Sequence, residues 1–228
     1  MEISAIAPQL SRFFLPLEAA ELRTAPGLVL FDELGAVRPG ARRAQASARF
    51  TVGPRSSAAL AAPRPSDLHV PRRLRARLEK LVRSWTAGAQ SDAEKLLAIE
   101  RRLKRDYGYA RSFGRMLGVD PVLDFLLRSK RGHCEYFASA LALLGRAAGV
   151  PTRVVMGYRV SERSPFGYFV VRERNAHSWV EAWLPGEGWS TRDATPLDAQ
   201  PNNREQEGSY LASSLDALRD RAWRAAAA

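Results

Sequence analysis

One stretch of the chain limits its fold more than any other, the run from Arg131 to Gly149. It passes from a glycine turn into an apolar helix, and it contains the only cysteine of the chain, Cys134. Beyond this cysteine, apolar residues recur at the three-and-four spacing of a buried helical stripe: Phe137, Ala138, Leu141, Leu144 and Ala148. Gly149 and Pro151 end the helix. The pattern therefore predicts a core helix with Cys134 in its first turn.

A cysteine at the start of a helix is in position to act as a nucleophile. The unpaired N–H groups and the partial positive charge at a helix N-terminus stabilise a thiolate, and they lower the thiol pKa from its free value of about 8.5. Gly132 lets the chain turn tightly just before Cys134. The alternative is a buried and inert cysteine, which is the commoner role of a single Cys.

Residues further along the chain favour the nucleophile. A thiol nucleophile needs an imidazole that takes its proton and a third group that orients this imidazole. His177 lies in an alternating, strand-like run from Asn175 to Leu184, and the returning strand ends at Asp193. A hairpin of this length brings Asp193 beside His177. The sequence thus predicts a catalytic triad of Cys134, His177 and Asp193.

Several spaced motifs occur in one order along the chain: Gly132-x-Cys134, Pro151-x-Arg153-x-Val155-x-Gly157-Tyr158, His177-x-Trp179-Val180-Glu181, Gly188-Trp189 and Asp193-x-Thr195-Pro196. Over roughly Ser91 to Leu197, the chain resembles the bacterial transglutaminase-like superfamily, whose fold is papain-like. The resemblance implies that Cys134 is the nucleophile, that His177 is the general base and acid, and that Asp193 is the orienting acid.

The expected fold class is α+β, with the cysteine helix packed on an antiparallel sheet. Residues 66–200 are expected to form the transglutaminase-like catalytic domain. An Ala/Pro-rich connector at 58–65 separates it from an N-terminal β-rich extension at 1–65. Residues 201–228 read as a polar linker followed by a C-terminal helix.

Three further residues are candidates for substrate binding. The resemblance implies that the segment containing Tyr109 passes near the active site, and that a tryptophan such as Trp179 flanks an acyl-binding groove. His133 is expected to line the cleft, because a side chain adjacent to Cys134 seldom reaches it productively. The alternative for the two aromatic residues is ordinary packing.

Composition narrows the function classes. The net charge is +11, but only four of the 35 basic residues are lysine, and no RNA- or DNA-binding motif is visible. This indicates arginine-rich composition bias and no nucleic-acid partner. The single cysteine excludes an internal disulfide and a Cys-rich zinc cluster, so we expect no metal and no cofactor. No apolar run reaches the roughly 18 residues of a membrane-spanning helix.

The predicted chemistry is thiol-dependent acyl transfer at a glutamine carboxamide or peptide group, through a thioester. The alternative is a cysteine peptidase or amidase that hydrolyses peptide or cell-envelope amides, and the third reading is a non-catalytic binding scaffold. The expected partners are a protein or peptide substrate with a glutamine or amide group and an amine co-substrate, and the protein is expected to be a monomer.

The resemblance is closest to the TgpA type of membrane-embedded protein within this superfamily. It implies a place at the periplasmic face of the cytoplasmic membrane if the sequence is an excised part of such a protein, and the cytoplasm otherwise. Contact with a membrane is then expected only through segments absent from this chain.

Overall fold

The computed structural model describes residues 62–112, 114, 118–160, 162–163, 169–171 and 173–196, and the backbone of five short strands before residue 53. The chain divides into two compact units. Met1–Ala61 fall in the first unit, and Ala62–Leu215 form the second. The C-terminal helix predicted from about Tyr210 lies outside the described residues.

The described part of the first unit consists of β-strands. They are β1 (Glu2–Ser4), β2 (Ala19–Arg23), β3 (Val29–Phe31), β4 (Val37–Pro39) and β5 (Ser47–Val52). Strands β1, β5 and β2 form one antiparallel sheet in that order, and β3 pairs with β4. The β-rich character expected of the N-terminal region is therefore present.

Helices begin the second unit, and their ends follow local signals in the sequence. They are α1 (Arg72–Trp85), α2 (Asp92–Asp106), α3 (Pro121–Asp124) and α4 (Cys134–Ala147). The Ser91 side chain caps α2 by accepting a hydrogen bond from the Glu94 N–H at 3.2 Å. The Glu94 side chain accepts from the Gln90 N–H at 2.6 Å, so only one half of a capping box is formed.

The segment after α3 departs from the expected regular helix. Phe125–Ser129 form a π-helical turn, which ends at Lys130 in the left-handed region with φ 48°. Two short strands then pair in parallel, β6 (Gly108–Tyr109) with β7 (Arg131–Gly132). This pairing ties the end of α2 to the chain that enters α4.

The sheet of the second unit has the order β12-β11-β8 and is antiparallel. Its strands are β8 (Thr152–Tyr158), β11 (Ala176–Leu184) and β12 (Gly188–Arg192). A short hairpin of β9 (Glu162–Arg163) and β10 (Phe169–Val170) lies between β8 and β11 in the chain. One face of β11 is buried under α4 because its side chains there are small or apolar: Ser178, Val180, Ala182 and Leu184.

Helix α4 is the centre of the core, and it contacts α1, α2, β8 and β11. Its close approach to the sheet requires a glycine at position 145. A Cβ atom there would lie 2.8 Å from Cγ2 of Thr152 and 3.2 Å from Cδ2 of Leu96. The α+β arrangement predicted from the sequence, with the cysteine helix packed on an antiparallel sheet, is confirmed. No helix of the described residues is long and apolar enough to cross a membrane.

Candidate active site

Cys134 is the first residue of α4, and its side chain is partly accessible to solvent. His133 precedes it in an extended conformation, and the helix begins as the His133 carbonyl accepts from the Tyr136 N–H at 2.9 Å. The first N–H groups of a helix have no partner inside the helix and form its positive end. The fold thus places the thiol where an anion is favoured.

Two backbone hydrogen bonds from the segment 108–110 hold the turn before Cys134. The Ala110 N–H donates to the Gly132 carbonyl at 2.9 Å, and the Gly108 N–H donates to the Lys130 carbonyl at 2.8 Å. Gly132 is packed so tightly that a Cβ atom would lie 2.9 Å from Cβ of Tyr136. A side chain at this position would therefore displace the turn that carries Cys134.

His177 and Asp193 come from the two strands of one hairpin. His177 lies near the start of β11, and Asp193 follows directly after β12. The Nε2 atom of His177 is 2.8 Å from Oδ2 of Asp193, and Oδ1 of Asp193 accepts from the Thr195 N–H at 2.9 Å. The carboxylate is thus fixed by its own backbone and oriented towards the imidazole.

Cys134 completes this arrangement on the other side of His177. Burial on its own would raise the pKa of the Cys134 thiol. Hydrogen bonds from the His177 side chain and the Ser178 backbone N–H, together with the positive charge of His177, outweigh burial and lower this pKa. The site therefore favours a thiolate.

The imidazole is held in its charged form by its two neighbours. Burial opposes the charge, but the hydrogen bonds to Asp193 and Cys134 and their negative charges raise the pKa of His177 to about 9. Burial likewise opposes ionisation of Asp193, yet the His177 hydrogen bond and the Thr195 N–H lower its pKa. The three groups together favour a thiolate, an imidazolium and a carboxylate.

The three residues predicted to bind substrate lie at different distances from this triad. Tyr109 is paired with Gly132 across β6 and β7. Burial and, second, the negative charge of Cys134 raise the pKa of the Tyr109 hydroxyl. The Trp179 ring lies 6.1 Å from the His177 ring, with the two planes 23° apart. The His133 ring packs edge-on against Tyr136 at 4.9 Å.

A half-buried ion pair joins β8 to β11 and was not singled out by the sequence. Glu181 is buried, and its Oε2 accepts from Nε of Arg153 at 2.8 Å and pairs with Nη2 at 2.6 Å. The Arg153 guanidinium lies 4.1 Å from the centroid of the Trp189 ring. The sequence gives no signal for this pair beyond the types of the residues, because its two members lie on different strands.

Within the part of the chain that the structure describes, no three His, Cys, Asp or Glu side chains converge as metal ligands would. His177 instead uses one ring nitrogen for Asp193, and Cys134 takes its hydrogen bond from the same ring.

Comparison with known proteins gives a consistent result. A model of the transglutaminase-like superfamily matches residues 79–194, about half of the chain. A protein-glutamine gamma-glutamyltransferase of Pseudomonas aeruginosa is 41% identical over 114 residues, which are 46% of this chain and 17% of that protein. Human protein-glutamine gamma-glutamyltransferase 2 is 32% identical over 105 residues, which are 36% of this chain and 14% of that protein.

The solved structures agree with the sequence matches. The crystal structure of the periplasmic domain of TgpA from Pseudomonas aeruginosa superposes with a TM-score of 0.66 at 26% identity, over 81% of this chain and 65% of that one. The chain therefore spans only a part of these relatives. On the extent of the family match and the shared papain-like α+β architecture, the chain belongs to the transglutaminase-like superfamily.

Proposed function

We propose that the protein catalyses thiol-dependent acyl transfer at glutamine carboxamide or peptide groups, with residues 66–200 as the catalytic domain. The observation that supports this most is the contact of His177 with two groups, since its Nε2 donates to the Asp193 carboxylate at 2.8 Å and its ring also bonds to the Cys134 thiol. An oriented imidazole beside a thiol is the arrangement that activates a cysteine nucleophile.

In the first half of the reaction, the Cys134 thiolate attacks the carbonyl carbon of the carboxamide. The backbone N–H of Cys134, at the positive end of α4, stabilises the negative oxygen that forms. The His177 imidazolium then donates its proton to the leaving amine. The C–N bond breaks, ammonia departs, and a thioester on Cys134 remains.

In the second half, a primary amine attacks the thioester carbon, and neutral His177 accepts a proton from it. The C–S bond breaks, the thiolate is restored, and the products are a new amide and a free enzyme. Asp193 keeps the imidazole oriented through both halves. Tyr109, Trp179 and His133 are proposed to contact the substrate around the thiol.

The names of the relatives favour an amine acceptor over water. The Pseudomonas aeruginosa and human proteins are both protein-glutamine gamma-glutamyltransferases. Water in place of the amine would give the alternative activity, a cysteine peptidase or amidase. A scaffold without turnover is a third possibility, but it would not need the lowered pKa of the Cys134 thiol.

We propose that the protein acts at the periplasmic face of the cytoplasmic membrane, and its similarity to a periplasmic domain supports this. Its proposed partners are a glutamine-containing protein or peptide and an amine co-substrate.

One experiment separates these activities. The full chain is incubated with a glutamine-containing peptide and a labelled primary amine, and the products are resolved by mass spectrometry, with Cys134→Ala as the control. We expect the labelled amide, absent from the control. Free acid without the amide would establish the hydrolase instead. The absence of both products, with iodoacetamide alkylating Cys134 no faster than free cysteine, would overturn both enzyme functions.

A further inference from the structure

The free edge of strand β8 has a defined pattern of backbone groups. Its positions 151 and 159 bond to β11, because the Trp183 N–H donates to the Pro151 carbonyl and the Arg159 N–H donates to the Asn175 carbonyl, both at 2.9 Å. In an antiparallel pair, the residues that alternate with these direct their N–H and C=O groups away from the partner strand. Val154 and Met156 therefore direct their backbone groups to the outer edge.

Val154 and Met156 lie in the middle of this outer edge. At its start, the Thr152 carbonyl accepts from Nη2 of Arg146 at 2.8 Å and is already occupied. Within the described residues, no partner is present for the outward backbone groups of Val154 and Met156. Their side chains are also exposed, by 41% for Val154 and 64% for Met156.

Such an edge is unusual in a folded protein. Sheet edges are ordinarily guarded by charged side chains, proline, bulges or a covering segment, because unpaired strand groups invite another strand. Here the two open positions carry apolar side chains. Further apolar side chains are exposed in the chain between β8 and β11: Val160, Phe169 and Val171.

The open edge lies one strand away from the candidate active site. Met156 stands opposite Ser178 in the β8–β11 register, and the Ser178 N–H bonds to the Cys134 thiol. Gly157 stands opposite His177. A segment held along Val154 and Met156 would thus lie beside β8, the strand that pairs with the one carrying His177.

We propose that this edge, Val154 and Met156 of β8, binds an extended segment of the protein substrate as an added strand. The segment carries apolar side chains at alternate positions, which rest on Val154 and Met156, while its backbone pairs with their outward N–H and C=O groups. The proposal rests on the proposed acyl transfer. It predicts that the substrates are proteins with a glutamine near an extended stretch of apolar residues.

A second copy of the chain fits this edge less well. Two β8 strands related by a two-fold axis at Val155 would pair Thr152 of each copy with Tyr158 of the other. The Thr152 carbonyl is occupied by Arg146, whose Nε also donates to it at 3.1 Å. Only a short segment can therefore pair at this edge.

The first test measures binding without turnover. The probe is an acetylated nine-residue peptide with a central glutamine flanked by alternating valine and serine, and its Kd for the full-length Cys134→Ala protein is measured by calorimetry. N-methylation then removes the amide hydrogens of every second residue, in one register or the other. We expect one register to weaken binding about ten-fold and the other to leave it nearly unchanged. Equal effects in both registers would overturn the proposal.

The second test changes the protein at one position. Met156→Pro removes the outward N–H without touching the bonds to β11, as a proline on an edge strand can, whereas Met156→Ala keeps the N–H and shortens the side chain. We expect the proline variant to weaken binding about ten-fold and the alanine variant by less. Equal losses would overturn strand pairing, and so would a dimer in light scattering that Met156→Pro dissociates.

These measurements use the Cys134→Ala protein, so they stand independently of catalysis. If the wild-type protein gives no product from the same peptide and a labelled amine, the proposed function fails while the binding result remains. If the wild-type protein does give product but both binding tests fail, only the strand-addition proposal is overturned.

Discussion

His177 approaches Asp193 through Nε2, at 2.8 Å from Oδ2, although 16 residues separate them in the chain. Since Nε2 faces the carboxylate, Nδ1 is the ring nitrogen left for the Cys134 thiol. The carboxylate therefore fixes which nitrogen exchanges a proton with the sulfur. This relationship sets the expected pH behaviour of the site.

The reactive form of the pair is a thiolate beside an imidazolium. The pKa of Cys134 is lowered by its bonds to His177 and Ser178, so the thiolate forms at a lower pH than it would without them. The pKa of His177 is raised to about 9, so the ring keeps its proton up to that pH. We expect a bell-shaped profile of kcat/KM for a glutamine peptide, which rises through the lowered thiol pKa and falls near pH 9.

The control for this profile is alkylation by iodoacetamide. In His177→Ala, burial remains and the hydrogen bond and charge of the ring are lost, so the pKa of the thiol should rise. The midpoint of the alkylation rate against pH should move upwards. An unchanged midpoint would contradict the pairing of the two residues.

Asp193→Asn tests the charge of the carboxylate at nearly constant shape. Without this charge, the pKa of His177 should fall from about 9, and the alkaline limb of the activity profile should move to lower pH. We expect kcat to fall by about 10²–10⁴-fold, as when the acid of a triad is neutralised. Asp92→Asn, at the first turn of α2, is the matched control and should change neither quantity. An alkaline limb that stays near pH 9 would count against the role of Asp193.

Gly132→Ala should disturb the turn that carries Cys134. Its Cβ would lie 2.9 Å from Cβ of Tyr136 and 3.2 Å from Cδ2 of Phe125, so one of these rings has to move. We expect a loss of about 1–3 kcal/mol in the free energy of unfolding by urea. Gly108→Ala is the control in the partner strand, where the new Cβ meets only the flexible Arg131 side chain, at 3.7 Å from Cγ and 4.0 Å from Nε. Equal losses in both variants would disprove the packing explanation.

The Arg153–Glu181 pair, in which only the carboxylate is buried, should stabilise the sheet as a coupled unit. Arg153→Leu removes the cation beside this carboxylate and should cost about 1–3 kcal/mol of unfolding free energy. The double variant with Glu181→Leu should cost less than the two single changes together. The pair of Lys104 with Glu100, at 2.6 Å within helix α2, should show a coupling of only about 0.5 kcal/mol. Additive effects at Arg153 and Glu181 would refute the coupling.

Substitutions of Tyr107 and Tyr109 should have different effects, the first on stability and the second on activity. The Tyr107 hydroxyl is buried and donates to the Leu126 carbonyl at 2.8 Å, so Tyr107→Phe should cost about 1–2 kcal/mol of stability. Tyr109 lies close enough to Cys134 for the charge of the thiolate to raise the tyrosine pKa. Tyr109→Phe should therefore lower kcat/KM about ten-fold with little change in stability. Thermal melts and steady-state rates on both variants make the comparison. A loss of activity in Tyr107→Phe alone would reverse the assignment.

The elements that carry the site were predictable because their signals are local. The apolar spacing after Cys134 gives α4, and the alternation around His177 places its side chain on the face opposite Ser178 and Val180. The returning strand, β12, then brings Asp193 next to His177. Periodicity alone was sufficient, since each signal repeats within one element.

Other features depend on contacts that no local pattern encodes. The β6–β7 pair has two residues in each strand, too few for any alternation to appear. The burial of Glu181 depends on Arg153, which lies 28 residues earlier in the chain. Alternation predicts that Glu181 lies on the same face of β11 as His177. It gives no indication that this charged side chain is buried.

His177 and Asp193 belong to one hairpin, whereas Cys134 belongs to a helix that packs against it. A local opening that slides α4 along the sheet would break the sulfur contact and leave the imidazole–carboxylate contact unbroken. The thiol would then revert to an ordinary buried cysteine while the rest of the fold persisted. The reactivity of the Cys134 thiol in this protein therefore depends directly on the packing of α4 against the hairpin.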